Sequence, residues 1–324
     1  MDRSSFVATC NEWTSQGIPF LFVIDYELEN FHIYTSDEAA SKGIYFAVPG
    51  NTNASELTTE IPEKYVFRLE PISFNRYNTA FSLVRKHIFH GNTFLLNLTF
   101  PTRLETDLTL KQIFIASKAS YKLLYGDQFV VFSPESFVRI KGDRIYSYPM
   151  KGTIDASITD AEELLMENEK EKREHVTIVD LIRNDLSMVA KDVSVQRFRY
   201  IDRIRTNRNE LLQVSSEISG KLGTKWKKEL GEILVELLPA GSISGAPKSK
   251  TREIIREAEG KQRGYFTGIF GVFDGSGLDS GVMIRYIEKV DGKMKFRSGG
   301  GITGSSDVKK EYQEMIDKVY VPIV

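Results

Sequence analysis

Two pairs of glutamates have a spacing that suits a hard divalent cation. Glu171 and Glu174 are three residues apart in one helix-like segment, and Glu311 and Glu314 are three residues apart in another. An i,i+3 spacing puts both carboxylates of a pair on the same face of a helix. Because Mg²⁺ commonly uses one or two protein carboxylates with waters and substrate oxygens, the pairs predict a Mg²⁺ site if the two helices meet. Two solvated helix faces are the open alternative.

Acid–base or nucleophilic chemistry could come from Glu135 and Lys151. Glu135 follows Ser133 and Pro134 at the end of a strand-like segment, and a carboxyl group on such a rigid turn suits a general acid or base. Lys151 lies in PMKGT, residues 149–153, between a strand and a loop. A lysine there is a surface charge unless it is buried, in which case it loses its charge more easily and becomes a nucleophile. The local sequence leaves both interpretations open.

Two glycine-rich segments and one arginine point to a small anionic ligand. Residues 299–304, GGGITG, fit the dinucleotide-binding pattern G-x-G-x-x-G, but we expect no βαβ unit because the sequence stops at Val324. Residues 240–248, AGSISGAPK, lack the spacing of a phosphate-binding P-loop. Arg285 lies among apolar neighbours, where it could pair with a ligand carboxylate or form a structural ion pair. The glycines would let the backbone approach such a ligand closely.

The composition is that of a globular protein without a strongly charged surface. The 324 residues include 43 Lys and Arg against 44 Asp and Glu, for a formal net charge of −1. This balance argues against nucleic acid and membrane surfaces as partners. No apolar run approaches the ~20 residues that cross a bilayer, and the first residues do not resemble a signal peptide. The single cysteine, Cys10, cannot form an internal disulfide, so we expect a reducing, cytoplasmic location.

Strands occur in runs rather than in regular alternation with helices. Strand-like segments cover residues 18–48, 94–100, 128–133, 137–150, 193–222 and 266–297. The apolar spacing predicts helices over 79–90, 110–120, 159–189, 225–238, 248–260 and 307–319, with a Thr159–Glu162 capping box and a loop at 240–247. This order predicts an α+β fold with large antiparallel sheets. Because no linker or repeat divides the chain, we expect a single domain over residues 1–324.

Several motifs, taken in order, resemble the chorismate-utilising enzymes. This family includes anthranilate synthase component I, aminodeoxychorismate synthase component I, and the isochorismate and salicylate synthases. The motifs are GNTFLLNLTF (91–100), SPESF (133–137), PMKGT (149–153), EKREHVTIVDLIRNDLS (171–187), LLPAGSISGAPKSK (237–250), GYFTGIFG (264–271), MIRYIE (283–288) and SGGGITGSSDVKKEYQEMIDK (298–318). Each motif alone is weak, but together they are specific. The resemblance covers about residues 70–324, so residues 1–70 would be a reduced N-terminal part that contributes strands.

The resemblance implies a fold and a site. The fold would be two large antiparallel sheets packed face to face with helices on the outside, and the ligand would be chorismate. Mg²⁺, bound to the ring carboxylate, would be held by Glu171, Glu174, Glu311 and Glu314. Glu135 matches the acid that helps the ring hydroxyl to leave. The enolpyruvyl carboxylate would be held by Tyr265, Arg285 and the backbone at Gly301, and other substrate-binding positions match Gly152, Thr153, Ser242, Gly300 and Lys318.

Three positions help to choose a branch within the family. Where this chain has Lys151, anthranilate synthases typically carry alanine, and aminodeoxychorismate synthases carry a lysine that is thought to attack ring C2 before ammonia enters at C4. Leu95 falls where isochorismate-type enzymes carry a lysine that activates water, so it argues against water as the nucleophile. Leu95 also departs from the glutamine that is common in the amino branch. Leu212 falls where many relatives carry histidine, unless the alignment slips by one residue and places Gln213 there.

The resemblance therefore favours aminodeoxychorismate synthase component I. That enzyme aminates chorismate at C4 to give 4-amino-4-deoxychorismate, on the route to 4-aminobenzoate and folate. Because Cys10 is not in a nucleophile elbow, we expect ammonia from a separate glutamine amidotransferase subunit, and pyruvate release by a separate aminodeoxychorismate lyase. The alternatives are anthranilate synthase component I of tryptophan biosynthesis and a catalytically inactive, chorismate-binding regulatory subunit.

Overall fold

Two antiparallel β-sheets dominate the computed structural model, which describes residues 1–205 and 210–321. Within these residues the strands are β1 (Phe20–Ile24), β2 (Phe31–Tyr34), β3 (Ile44–Val48), β4 (Asn51–Thr52), β5 (Phe67–Glu70), β6 (Leu95–Thr106), β7 (Tyr121–Tyr125), β8 (Phe129–Ser133), β9 (Ser136–Lys141), β10 (Arg144–Ser147), β11 (Met150–Asp155), β12 (Lys191–Arg205), β13 (Glu210–Lys221), β14 (Gly245–Ala246), β15 (Ile269–Phe273), β16 (Leu278–Val282), β17 (Tyr286–Val290) and β18 (Lys293–Ile302). The predicted strand region 193–222 crosses residues 206–209, which lie outside the described residues.

Helices cover the sheets and carry part of the site. They are α1 (Arg3–Gln16), α2 (Ser36–Ser41), α3 (Phe74–Phe89), α4 (Leu110–Ala116), α5 (Ala161–Glu167), α6 (Glu169–Ser187), α7 (Leu230–Glu236), α8 (Gly241–Ser244), α9 (Lys248–Glu259) and α10 (Val308–Asp317). The helices α3, α9 and α10 contact β6 or β18, and α6 contacts β11, β13 and α8. In the described part of the chain, no helix is both long and apolar enough to cross a membrane.

The described strands form two sheets of nine. The first sheet has the order β11-β13-β10-β9-β16-β15-β1-β2, with β12 on β13, and the second has the order β14-β6-β18-β17-β8-β7-β3-β4, with β5 on β6. Alternate residues of β1 face opposite layers: Leu21 and Val23 pack with Phe46 and Leu123 of the second sheet, whereas Phe22 faces the helix-covered side. The predicted α+β fold, with two large antiparallel sheets packed face to face, is confirmed.

The helix predicted over 159–189 is divided in two. Asn168 has an extended backbone between α5 and α6, so the long helix and its predicted start are wrong. The N-cap of α5 is Asp160, in a left-handed conformation and without a side-chain cap bond, rather than Thr159. Glu162, the other half of the predicted capping box, accepts a hydrogen bond from Arg203. Glu162 therefore pairs with a residue of β12 instead of completing a capping box at the start of α5.

Other boundaries also differ from the prediction. The helix predicted over 225–238 consists of a 3₁₀ turn at Trp226–Lys228 followed by α7, and the predicted loop 240–247 contains α8 and β14. The sequence pattern missed α1, which begins after Asp2, whose carboxylate accepts a hydrogen bond from the Ser5 N–H. It also missed α2 and β7, whereas α9 closes at Gly260, in a left-handed conformation, as the sequence suggested.

Candidate functional site

A cavity of about 460 Å³ opens between β6, β11 and β18 and the helices α6, α8 and α10. Most of the predicted site residues line it: Glu135, Lys151, Gly152, Thr153, Glu171, Glu174, Ser242, Arg285, Gly301, Glu311, Glu314 and Lys318. They come from segments that are far apart in the chain, and the two sheets bring them together. A cavity of this size is typical of sites for small molecules.

The four glutamates face this cavity from two helices. Glu171 and Glu174 lie on α6, and Glu311 and Glu314 lie on α10. Two glycines leave room for their carboxylates. A Cβ on Gly152 would lie 3.4 Å from Oε2 of Glu171, and a Cβ on Gly300 would lie 3.2 Å from Oε1 of Glu314 and 3.4 Å from Oε2 of Glu311. Gly152 has φ of +78° at a bulge in β11, a conformation that favours glycine.

Each pair of glutamates has one member in contact with a lysine. Lys151 Nζ lies 3.6 Å from Glu174 Oε2, and the exposed fractions of the two side chains are 26% and 15%. Lys318, which caps α10, donates hydrogen bonds to Glu314 Oε1 at 2.6 Å and to the Gly299 carbonyl at 3.0 Å. Burial lowers the pKa of the Lys318 ammonium group. The cavity therefore combines anionic and cationic groups, as a site for a metal ion and an anionic ligand requires.

The donor set is of the kind that Mg²⁺ prefers, although the protein does not supply a complete shell. Among residues 1–205 and 210–321, no group of three or more His, Cys, Asp or Glu side chains is arranged to hold a metal ion by itself. Mg²⁺ needs only one or two protein carboxylates when water and a substrate oxygen complete its octahedron. The carboxylates along the cavity, with the space that Gly152 and Gly300 leave beside them, fit that mode of binding.

Glu135 is held at the opposite wall by α8. The Ser242 hydroxyl donates a hydrogen bond of 2.6 Å to Glu135 Oε1. Burial raises the pKa of the Glu135 carboxyl group, although the Ser242 hydrogen bond and the positive charges of Lys151, Arg285 and Lys318 oppose that rise. A carboxyl group with a raised pKa retains its proton closer to neutral pH, as a general acid must.

Arg285 extends from a tight turn between β16 and β17. Its φ of +51° is unusual for a residue with a side chain, and it stacks over the Tyr320 ring at 5.2 Å. Its Nε is buried without a hydrogen-bond partner among the described residues. A buried guanidinium donor at a cavity wall suits a ligand carboxylate, because an unmade hydrogen bond there is costly.

Tyr265 does not line the cavity, in contrast to the sequence prediction. Its hydroxyl lies 2.7 Å from His32 Nε2, and its ring stacks on Phe129 with a centroid separation of 4.9 Å. The next residue, Phe266, lines the cavity instead. Both residues lie in the turn before β15, where the two side chains point in different directions, so an offset of one residue is enough to exchange them.

The same offset applies on β13. Leu212 is 2% exposed and packs in a cluster with Leu165 and Val214, whereas Gln213 lines the cavity. The structure therefore brings Gln213, the residue of the alternative alignment, to the cavity and leaves Leu212 in the core. Leu95 is buried, and its Cδ1 lies 3.1 Å from where a Cβ on Gly301 would be.

The sequence analysis missed several residues that line the cavity, among them Asn97 and Arg297. Asn97 donates a hydrogen bond of 3.0 Å to the Ser242 carbonyl, and Arg297 donates one of 2.8 Å to Glu288. Both residues line the cavity. The alternation of β18 was the signal that could have found Arg297, since it lies on the same face of the strand as Gly301.

Comparisons with known proteins point to one enzyme family. A family model described as chorismate binding enzyme matches residues 19–323. A Haemophilus influenzae protein described as an uncharacterized PabA-like protein is 52% identical over 318 residues, which cover 98% of this chain and 96% of that protein. More distant relatives include an anthranilate synthase component 1 of Haloarcula marismortui and the aminodeoxychorismate synthase component 1 of Bacillus subtilis.

The distant relatives match the chain only in part. The Haloarcula protein is 34% identical over 72% of this chain and 50% of its own length. The Bacillus protein is 30% identical over 77% of this chain and 55% of its own length. Among solved structures, the menaquinone-specific isochorismate synthase MenF of Escherichia coli superimposes with a TM-score of 0.75 at 16% identity, over 97% of this chain and 80% of that one. That likeness concerns the fold.

Proposed function

Since this chain belongs to the chorismate-binding enzyme family, we propose that it is an aminodeoxychorismate synthase component I. The reaction is the amination of chorismate at C4, with ammonia, to 4-amino-4-deoxychorismate, which leads to 4-aminobenzoate and folate. The observation that carries the proposal is the position of Lys151. Its Nζ lies 3.7 Å from where a Cβ on Gly301 would be, inside the cavity that Glu135 also lines.

The proposed reaction has two steps, between which Lys151 is bound covalently to the ring. Lys151 Nζ, as the neutral amine, forms a bond to ring C2. The C1=C2 double bond shifts to C1=C6, the C5=C6 double bond shifts to C4=C5, and the C4–O bond breaks. Glu135 gives its proton to the departing oxygen, which leaves as water. Ammonia then forms a bond to C4, both double bonds shift back, and the C2–N bond to Lys151 breaks. The proton that the added ammonia loses replaces the one given by Glu135, so the net reaction is chorismate plus ammonia to aminodeoxychorismate plus water.

The remaining cavity residues would bind the two carboxylates of chorismate. A bound Mg²⁺ would neutralise the ring carboxylate and polarise it. Glu171, Glu174, Glu311 and Glu314 would hold the metal, and Arg285 with the Gly301 backbone would receive the enolpyruvyl carboxylate. Gly152, Thr153, Ser242, Gly300 and Lys318 would shape the rest of the pocket. Phe266, rather than Tyr265, would pack against the ligand.

Partners are part of the same proposal. Cys10 is buried on α1, and burial raises the pKa of its thiol to about 12, so this group is not a thiolate nucleophile for glutamine hydrolysis. Ammonia would come from a separate glutamine amidotransferase subunit, and a separate aminodeoxychorismate lyase would release pyruvate. We place these steps in the cytoplasm.

The test is to incubate the chain with chorismate, Mg²⁺ and ammonium, with and without aminodeoxychorismate lyase, and to separate the products by chromatography. Formation of 4-aminobenzoate only when the lyase is present supports the proposal. Anthranilate from the chain alone would show anthranilate synthase activity instead, a reaction that the Haloarcula relative makes the main alternative. Chorismate binding without turnover at any ammonium concentration would identify a regulatory subunit.

A further inference from the structure

We propose that Asp185 and Lys248 are positioning residues for Glu135, and that they act through the short helix α8. This inference rests on the proposed role of Glu135 as the acid. Neither residue lines the main cavity, and the sequence analysis assigned no role to either. A chain of contacts runs from Glu135 to a partly buried ion pair between α6 and α9, in which the side chains of Asp185 and Lys248 are 10% and 21% exposed.

The first contact is the hydrogen bond from Ser242 to Glu135, at 2.6 Å. Ser242 lies on α8, which has four residues and no side-chain cap at its N-terminus. A single helical turn is unstable by itself, because nucleation fixes several residues for one or two hydrogen bonds. The position of the Ser242 hydroxyl must therefore depend on what α8 packs against.

α8 packs against Asp185 of α6. A Cβ on Gly241 would lie 2.7 Å from Asp185 Oδ2, so glycine permits the close approach of the two segments. The Asp185 carboxylate accepts a hydrogen bond from the Gly241 backbone N–H. Asp185 is 7% exposed, and a buried carboxylate needs a counter-charge.

Lys248 supplies that charge from the start of α9. Its Nζ lies 3.0 Å from Asp185 Oδ1 and donates a hydrogen bond of 3.0 Å to the Leu237 carbonyl. Lys248 therefore ties together α6, the end of α7 and the start of α9, and these segments enclose α8 on both sides along the chain. The pair fixes α8, and α8 places the Ser242 hydroxyl on Glu135.

A second cavity, shared by the two carboxyl groups, gives Asp185 an electrostatic route to Glu135 in addition to the route through α8. It has a volume of about 30 Å³, enough for one water molecule, and both Glu135 and Asp185 line it. The effect of Asp185 through α8 and its direct charge effect therefore shift the pKa of Glu135 in opposite directions when Asp185 is replaced. Loss of the Ser242 hydrogen bond would raise the pKa of Glu135, whereas loss of a nearby negative charge would lower it.

The other charged groups that act on Glu135 stay the same in this comparison. They are Lys151 on β11, Arg285 in the turn before β17, and Lys318 at the end of α10. None of them touches Asp185 or Lys248 in the described part of the chain. A shift caused by substitution at Asp185 or Lys248 is therefore not explained by loss of these contacts.

The first experiment measures the titration of Glu135 without substrate. The full chain is labelled with ¹³C at the glutamate carboxyl group, and Glu135→Gln assigns the signal. We expect Asp185→Asn and Lys248→Met each to raise the pKa of Glu135 by about half a unit to one unit, as Ser242→Ala does, because a hydrogen bond to the carboxylate is lost. A lowered or unchanged pKa in Asp185→Asn would overturn the proposal.

The second experiment separates positioning from damage to the fold. Combining Ser242→Ala with Lys248→Met should give no further shift, since both remove the same hydrogen bond, and additive shifts would contradict the proposal. Lys248→Arg keeps the charge and should restore the wild-type titration. The matched controls are Lys250→Met and Asp180→Asn, which break exposed ion pairs with Glu253 and Arg183 on the same two helices.

Turnover gives a further readout. With saturating free ammonia, kcat of Lys248→Met should fall on the order of tenfold, with the alkaline limb of its pH profile moved upward and KM for chorismate changed less than about threefold. If kcat falls by the same factor at every pH and the alkaline limb does not move, Lys248 has a merely structural role and the inference is wrong. If the wild-type chain turns over no chorismate, the proposed function fails, while the titration of Glu135 still tests the positioning.

Discussion

Nζ of Lys151 lies 3.6 Å from Oε2 of Glu174, so the proposed nucleophile touches one of the proposed metal ligands. The two residues come from β11 and α6, and their side chains are 26% and 15% exposed. A substitution at either residue would therefore affect both the proposed nucleophile and the proposed metal site.

Lys151→Ala should abolish amination at C4, because it removes the amine that we propose to form the bond to C2. We expect the rate of aminodeoxychorismate formation to fall by at least about a thousandfold, measured as lyase-dependent 4-aminobenzoate. Lys141→Ala, at an exposed strand end, is the control and should retain activity. Unchanged amination by Lys151→Ala would refute the role of Lys151.

Glu171→Gln and Glu311→Gln should weaken Mg²⁺ binding in the presence of chorismate by about tenfold or more, because each removes a charged oxygen ligand. Titration calorimetry with Mg²⁺ gives the affinity directly, without depending on turnover. Glu163→Gln changes an exposed residue of the neighbouring helix α5 and should leave the affinity unaltered. If all three variants bind Mg²⁺ as tightly as the wild type does, Glu171 and Glu311 are not metal ligands.

Tyr265→Phe should change KM for chorismate by less than about twofold, because the hydroxyl of Tyr265 faces His32 rather than the cavity. Phe266→Ala should raise KM several-fold, since it removes an apolar wall of the cavity. Steady-state kinetics of the two variants provide the comparison. If Tyr265→Phe changes KM strongly and Phe266→Ala does not change it, Tyr265 rather than Phe266 contacts the ligand.

His175 should make the fold sensitive to acid. It is 1% exposed, and burial, with the nearby charges of Arg199 and Lys151, lowers its pKa to about 4. Between about pH 6.5 and pH 4 the unfolded chain binds a proton on this ring and the folded chain does not. The free energy of unfolding should therefore decrease as pH falls through this window, by up to about 3 kcal/mol from this residue.

Urea unfolding at several pH values measures this dependence. His175→Gln, which keeps a polar partner for the Ser216 hydroxyl now 2.7 Å from His175 Nε2, should flatten the curve between pH 6.5 and pH 4. His90→Gln, at an exposed histidine, should leave the slope unchanged. The same slope in wild type and His175→Gln would show that His175 titrates alike in both states.

The buried pair of Arg263 and Glu259 should matter more to stability than an exposed pair of similar geometry. Their side chains are 1% and 5% exposed, and Arg263 also binds the carbonyls of Ile243 and Asn97. Glu259→Gln should cost about 3–5 kcal/mol in urea unfolding, because it leaves a buried charge without its partner. Glu70→Gln, which breaks the exposed pair with Arg103, should cost less than about 1 kcal/mol. Similar losses would contradict this distinction.

The order of the strand-like segments predicted an α+β fold with large antiparallel sheets, because runs of apolar, β-branched residues are a local property. The packing of two such sheets face to face was expected only from the family resemblance. The sequence also placed both glutamate pairs correctly on helices, since an i,i+3 spacing is local too. Which of two neighbouring side chains faces the cavity was less certain. Leu212 on β13 and Tyr265 in the turn before β15 were each one residue away from the side chain that lines the cavity, and only the packing of the assembled fold decides this.

The predicted helix boundaries were wrong where tertiary contacts outweigh local sequence preferences. The break at Asn168 divides the segment into α5 and α6, which both contact β11 and β13, and no capping signal at Thr159 reveals it. Asp185 and Lys248 were equally hidden, because their pairing joins two helices about sixty residues apart in the sequence. Such contacts follow from the assembled fold and not from any window of the chain.

The pairing of β6 with β18 has a consequence for how the protein becomes active. Leu98 lies opposite Gly300, and Asn97 lies opposite Gly301, so the cavity floor joins residues that are separated by roughly two hundred positions. Closing so long a loop is slow, and a growing chain on the ribosome contains β6 long before β18 is made. Until then, the edge of β6 that pairs with β18 has no partner strand and the cavity is not assembled. Ligand binding in this cavity therefore requires β18, which makes it a readout of complete folding.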